Sequence, residues 1–86
     1  MFYVYVLVSL ANSSYYVGSC KNLESRLNLH NAGLVKSTKR YVPWRVLYRE
    51  TFPALSLARK REMQIKSWKK RRAIESLVKR SKINQV

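Results

Sequence analysis

The chain has 86 residues, with eighteen Lys or Arg against four acids, a formal net charge of +14 at neutral pH. All four acids are Glu, with one Cys and one His beside them. These counts exclude a Ser-His-Asp triad, a four-ligand structural zinc site and a disulfide framework, and they argue against a carboxylate-rich two-metal site.

Length predicts one domain with a thin core, over about residues 1–80, followed by a frayed tail over 81–86. An apolar fraction of 47% fits a folded chain, so the surplus charge points outward, to a polyanion. Nucleic acid is the first partner to consider and an anionic membrane surface the second. Residues 1–20 carry no charged side chain. They lack the basic start of a signal peptide, and Ser9, Asn12, Ser13 and Ser14 break them as a membrane span. The expected setting is therefore soluble and cytoplasmic, with a reduced thiol at Cys20 and no membrane contact.

The order of elements begins with FYVYVLVS at residues 2–9, rich in aromatic and β-branched types, a strand signal. LANSS supplies turn residues, and YYVGS at 15–19 reads as a second strand, making an antiparallel hairpin. The nearly unbroken apolar run of the first strand predicts cover on both faces. Asn22 suits an N-cap, Glu24 the first turn of a helix and Gly33 its C′ position, with Leu23, Leu27 and His30 on one face. Arg26 lies at the edge of that face, one turn before His30. Residues 34–43, with Lys36, Lys39 and Arg40, read as a basic loop ending at Pro43, and WRVLYRET at 44–51 as a third strand that alternates only in part. Pro53 is placed to open a second helix running from about 54 to Lys70, and a third follows over about 71–79.

Glu62 stands out on helical geometry. It continues the stripe of Leu55, Ala58 and Ile65, so the only acid in the strongly basic stretch 59–72 faces inward. A half-buried carboxylate needs a cation, either a neighbouring Arg59 or Lys66 or a metal ion at a phosphate site. Arg26 and His30 taken alone read as a surface charge and a core-edge histidine. Together with Glu62 they make a guanidinium, an imidazole and a carboxylate, the parts of a phosphoryl-transfer site. Of the six tyrosines, Tyr3, Tyr5, Tyr15 and Tyr16 fall in the hairpin, where packing and base stacking are both open to them. Cys20, Trp44 and Trp68 read as core or core-edge residues.

The ordered set resembles the GIY-YIG endonuclease superfamily, in particular its small stand-alone members. Tyr3-Val4-Tyr5 resembles the first motif, with Tyr3 in place of Gly, and Tyr16-Val17-Gly18 the second, ten residues later. KNLESRLNLHNAG at 21–33 resembles the helix bearing the family's Arg, with His30 as in the stand-alone branch, and ARKREMQIKSW at 58–68 the helix bearing its metal-binding Glu. The resemblance spans about residues 2–80. It implies an α+β fold of the broad α/β class, a three-stranded antiparallel sheet flanked by helices. It also implies hydrolysis of DNA phosphodiesters, in repair or recombination, with one Mg²⁺ or Mn²⁺ ion. Carried over, Glu62 is the metal ligand, Arg26 the charge stabiliser, Tyr5 the general base or water positioner, Tyr16 the group that positions nucleophile or phosphate, and His30 an aid to proton transfer. Gly18 allows a close approach. Ser19 stands where some repair relatives carry Lys. Lys21, Lys36, Lys39, Arg40, Arg59, Lys66 and Lys69 are the expected DNA contacts, the DNA being branched or single-stranded among other forms. A protein partner is left open by the absence of an appended DNA-binding module. The alternative is a nucleic-acid-binding module without turnover.

Overall fold

A computed structural model describes residues 1–84, with side chains as far as Arg80. The element order is β1 (Phe2–Ser9), β2 (Tyr15–Cys20), α1 (Leu23–Asn31), a short 3-10 turn at Lys39–Tyr41, β3 (Trp44–Phe52), α2 (Leu55–Ser67) and α3 (Arg71–Asn84). The strands form one antiparallel sheet in the order β2-β1-β3, so the uncharged first strand occupies the centre. It is an α+β fold, a three-stranded sheet flanked by helices.

Strand β1 is covered on both faces, and its alternation sorts the two sides. Val4 and Val6 point to one side and pack with Val17 of β2 and with Ala58 and Ile65 of α2, all nearly or fully buried. Tyr5 and Leu7 point to the other and pack with Trp44, Leu23 and Leu27. The partial alternation of β3 has a structural cause. Val6 pairs with Tyr48 and Leu7 with Val46, which leaves Leu47 as a bulge. Leu47 and Tyr48, consecutive in sequence, therefore both pack on the α2 side, while Val46 packs on the other.

Local signals set the ends of the helices. The Asn22 side chain accepts from the Ser25 amide and caps α1, as expected. At its far end, Gly33 has φ +75, Gly33 N donates to the His30 carbonyl and Leu34 N to the Leu29 carbonyl, a Schellman motif that needs glycine at this position. Helix α2 begins after an Ala54 N-cap, so Pro53 lies just outside it rather than in its first turn. The same helix stops at Ser67, short of the expected Lys70, because Lys69 has φ +55 and turns the chain into α3. Helix α3 runs to Asn84, beyond the expected 71–79. Of the expected tail 81–86, residues 85–86 lie outside the described residues. Among the described residues, no helix is long and apolar enough to cross a membrane.

Candidate active site

The hairpin pairs Tyr5 with Gly18, and this pairing builds the centre of the site. A Cβ on Gly18 would lie 2.5 Å from the Tyr5 hydroxyl oxygen and 2.6 Å from Cζ. The close approach expected at Gly18 is thus made by the Tyr5 phenol itself, which crosses β2 through the space a side chain would fill. Beyond it the Tyr5 hydroxyl lies 3.0 Å from His30 Nε2, at the last turn of α1. Tyr16 completes the cluster, its ring centroid 5.0 Å from that of His30 and 6.3 Å from that of Tyr5.

His30 is fully buried, and its second nitrogen, Nδ1, lies 2.7 Å from Thr38 Oγ1. The Thr38 hydroxyl donates to the Val35 carbonyl at 3.4 Å. In the tautomer that carries its proton on Nδ1, Thr38 accepts from Nδ1–H and Nε2 accepts the Tyr5 proton. Burial, with Arg26 nearby, lowers the His30 pKa to about 4, so the imidazole is neutral at physiological pH. Burial raises the Tyr5 hydroxyl to about 12 against the pull of the Arg26 guanidinium beside it. The pair is a neutral phenol against a neutral imidazole, the phenol donating in that tautomer.

Thr38 gave no signal in the sequence. It is fully buried inside a mostly exposed basic loop, and its carbonyl accepts from Trp44 Nε1 at 2.9 Å. Asn31 fixes the same corner, accepting from the Trp44 amide at 2.6 Å and donating to its carbonyl at 3.0 Å. Arg26 sits beside Tyr5 with its Nε buried and without a hydrogen-bond partner among the described residues. A buried guanidinium N–H with nothing to bond suits an incoming anion.

Glu62 lies on α2, with its side chain 18% exposed. Ser19 Oγ donates to Oε1 at 2.5 Å, and Lys66 Nζ donates to Oε2 at 2.6 Å. Ser19, absent from the expected site, thus holds the carboxylate, and it does so from the residue next to Gly18. The Lys66 ammonium also lies 5.8 Å from the Tyr16 ring centroid. One lysine therefore bridges the carboxylate and the tyrosine cluster.

Glu62 is not alone among the acids in being enclosed. Glu50 is equally enclosed, 20% exposed, and takes three bonds from Arg61 and one from the Tyr48 hydroxyl. A strand-end position concealed this, because the partner comes from α2, eleven residues on. What separates the two is their company. Glu50 faces a bidentate guanidinium that satisfies it. Glu62 faces a half-exposed lysine, which can swing away.

That carboxylate fits a divalent metal ion. Its Oε2 already holds a positive charge at 2.6 Å, and a single hard oxygen donor suits Mg²⁺ or Mn²⁺, which keep waters and take phosphate oxygens for the rest. Among the described residues no three His, Cys, Asp or Glu side chains converge, so the chain offers one carboxylate and no cage.

The expected DNA contacts come from several elements. Lys21, Lys36, Lys39, Arg40, Arg59, Lys66 and Lys69 are all exposed. Lys66 and Lys69 line a groove of about 400 Å³ beside Tyr16, while Lys39 and Arg40 lie in the 3-10 turn after α1.

Comparison with known proteins agrees with this fold. The GIY-YIG catalytic domain matches residues 1–75. A UPF0213 protein from Staphylococcus haemolyticus is 35% identical over 79 residues, 91% of this chain and 95% of that one. Another from Natronomonas pharaonis is 41% identical over 66 residues, 76% of each chain. The solution NMR structure of a UPF0213 protein from Bacillus halodurans superposes with a TM-score of 0.58 at 31% identity, covering 92% of this chain and 84% of that one. The chain thus belongs to the GIY-YIG nuclease family, alongside the small UPF0213 proteins.

Proposed function

We propose that the protein is a metal-dependent DNA endonuclease that hydrolyses phosphodiester bonds, acting in the cytoplasm in repair or recombination. The observation that carries this reading is the convergence of a Tyr5–His30 proton pair, an unpartnered Arg26 N–H and a Ser19-held Glu62 around one glycine.

Each group has a task. Tyr16, more exposed than Tyr5, meets the phosphate or the attacking water. As the water oxygen bonds to phosphorus, its proton passes to the Tyr5 oxygen, and the Tyr5 proton passes to His30 Nε2. The neutral imidazole makes this step possible, and Thr38 keeps the ring oriented. Tyr5 is then the immediate base and His30 the final acceptor. Arg26 stabilises the charge that builds on the phosphate oxygens. Glu62 would hold Mg²⁺ or Mn²⁺, which when bound supplies Lewis-acid polarisation of the phosphate.

The Glu62–Lys66 ion pair gives specific support to a second reading, a nucleic-acid-binding module in which that carboxylate is structural. The two are separated by incubating the protein with plasmid, single-stranded and branched DNA in Mg²⁺, Mn²⁺ or chelator. The nuclease reading expects metal-dependent cleavage, reduced by about 10²-fold or more in Glu62→Ala and Tyr5→Phe. Cleavage that persists in Glu62→Ala sinks it, and binding without cleavage in any metal selects the module.

A further inference from the structure

The groove beside the site has a composition that phosphate contacts alone do not require. Its floor is apolar, with the half-buried Ile74, Tyr15 and Tyr16 facing the groove and the core residues Val17 and Ile65 behind them. Its rim is cationic. Arg71 is fixed in place, stacked 4.0 Å over the Tyr15 ring, bonded to the Ser13 carbonyl at 2.6 Å and paired with Glu75. Lys69 and Lys70 are exposed and have no acidic partner among the described residues.

A duplex presents phosphates outside and keeps its bases stacked within, so it would engage the rim and leave the floor uncovered. An unpaired nucleotide presents both a π-face and a phosphate, which matches an aromatic and apolar floor under a basic rim. At about 400 Å³ the groove falls within the range of small-molecule sites. Tyr16 and Lys66 belong both to this groove and to the site, through the Tyr16–His30 contact and the Lys66–Glu62 ion pair.

We propose that this groove between β2, the end of α2 and the start of α3 seats one unpaired nucleotide of the substrate, with its base on the floor and its phosphates on Lys69 and Lys70. The next phosphodiester then lies toward Tyr16 and Glu62. This rests on the nuclease reading for its substrate, DNA, and narrows it to DNA with an unpaired strand beside the cut. The lysine that holds Glu62 also borders the nucleotide's seat, so an arriving phosphate can draw Lys66 from the carboxylate.

The test is binding in chelator, where no cleavage occurs, of labelled oligothymidylate and of a duplex of equal length, followed by fluorescence anisotropy. The single strand is expected to bind more tightly at equal salt. Lys70→Glu should weaken oligothymidylate binding by about five- to ten-fold and duplex binding much less. Lys60→Glu makes the same charge change on α2 away from the groove, and it should weaken both probes alike. Photocrosslinking of an oligonucleotide carrying bromodeoxyuridine should mark Tyr15 or Tyr16. Equal affinity for the two probes, equal loss in the two variants, or crosslinks confined to other residues overturns the assignment. Adding Mn²⁺ in a parallel assay separates the two levels. Cleavage without single-strand preference overturns the groove and leaves the nuclease reading standing. Single-strand preference without cleavage supports the groove and overturns the nuclease.

Discussion

The two faces of the sheet are built from one strand yet differ in kind. On the α2 side, Val4 and Val6 meet Ala58 and Ile65 in a contact that is entirely apolar. On the α1 side, Tyr5 and Leu7 meet Trp44, and behind them lies a chain of buried polar groups running from Tyr5 through His30 to Thr38. The first face gains from area removed from water and tolerates little change in volume. The second retains polar groups that cost free energy unless every partner is present. The proposed proton chemistry lies on the costly face. The carboxylate lies at the margin of the cheap one, where Ser19 on β2 reaches α2. Functional groups thus meet across the sheet edge, at Gly18, where a missing side chain lets the phenol through.

This contrast can be broken most strongly on the apolar face. Ile65→Ala should cost about 2–5 kcal/mol of stability in urea titration, because a fully buried side chain leaves a cavity among rigid neighbours. A loss below about 1 kcal/mol would mean that this face does not carry the fold.

On the polar face the sensitive variable is pH. The His30 pKa is lowered from the ordinary 6.5 to about 4, so below pH 6.5 the unfolded chain takes up this proton before the folded one. The stabilising contribution is complete above pH 6.5, falls as pH approaches 4, and amounts to about 3 kcal/mol in all. His30→Gln should remove this part of the pH dependence. Unchanged acid sensitivity in the variant would show that the neutral imidazole is not its source. Activity should likewise persist well below pH 6.5, since the acceptor stays neutral.

Gly18→Ala tests the meeting point. Its new methyl falls 2.5 Å from the Tyr5 hydroxyl, so the expected loss is about 1–3 kcal/mol together with a fall in cleavage rate. Tyr5→Phe in the same chain removes the oxygen but keeps Cζ, 2.6 Å from the methyl, so it should recover only a small part of the stability, without the activity. Additive losses would show that the two positions are not coupled.

The smallest stability change is expected at the carboxylate. Ser19→Ala removes one donor from a partly exposed group and should cost about 1 kcal/mol or less. It should still weaken Mn²⁺ binding, followed by electron paramagnetic resonance, because Glu62 loses the bond that orients it. Unchanged Mn²⁺ affinity would remove Ser19 from the site.

Much of this was legible in the chain order. The hairpin, the Asn22 cap, the Gly33 stop and the inward stripe of α2 are local, set by residues within one or two turns of each other. So were the candidates themselves, since Arg26, His30 and Glu62 share faces that helical periodicity fixes. The illegible parts were pairings across sequence distance. Thr38 reaches His30 across a loop, Ser19 reaches Glu62 forty-three residues on, and Arg61 closes on Glu50 from another element. The early stop of α2 depends on the left-handed backbone of Lys69, a residue whose side chain gives no such signal.

The sequence by itself determined a small basic α+β domain with few acids and placed one of them on an inward helical face. Only the tertiary structure decided what that acid touches. It made Glu62 the end of a Ser19 bond and a Lys66 ion pair, and Tyr5 the hydrogen-bond partner of a neutral histidine. The physical reason is that periodicity specifies which way a side chain points, whereas its charge state and partners depend on burial and on neighbours that only the packed sheet brings together.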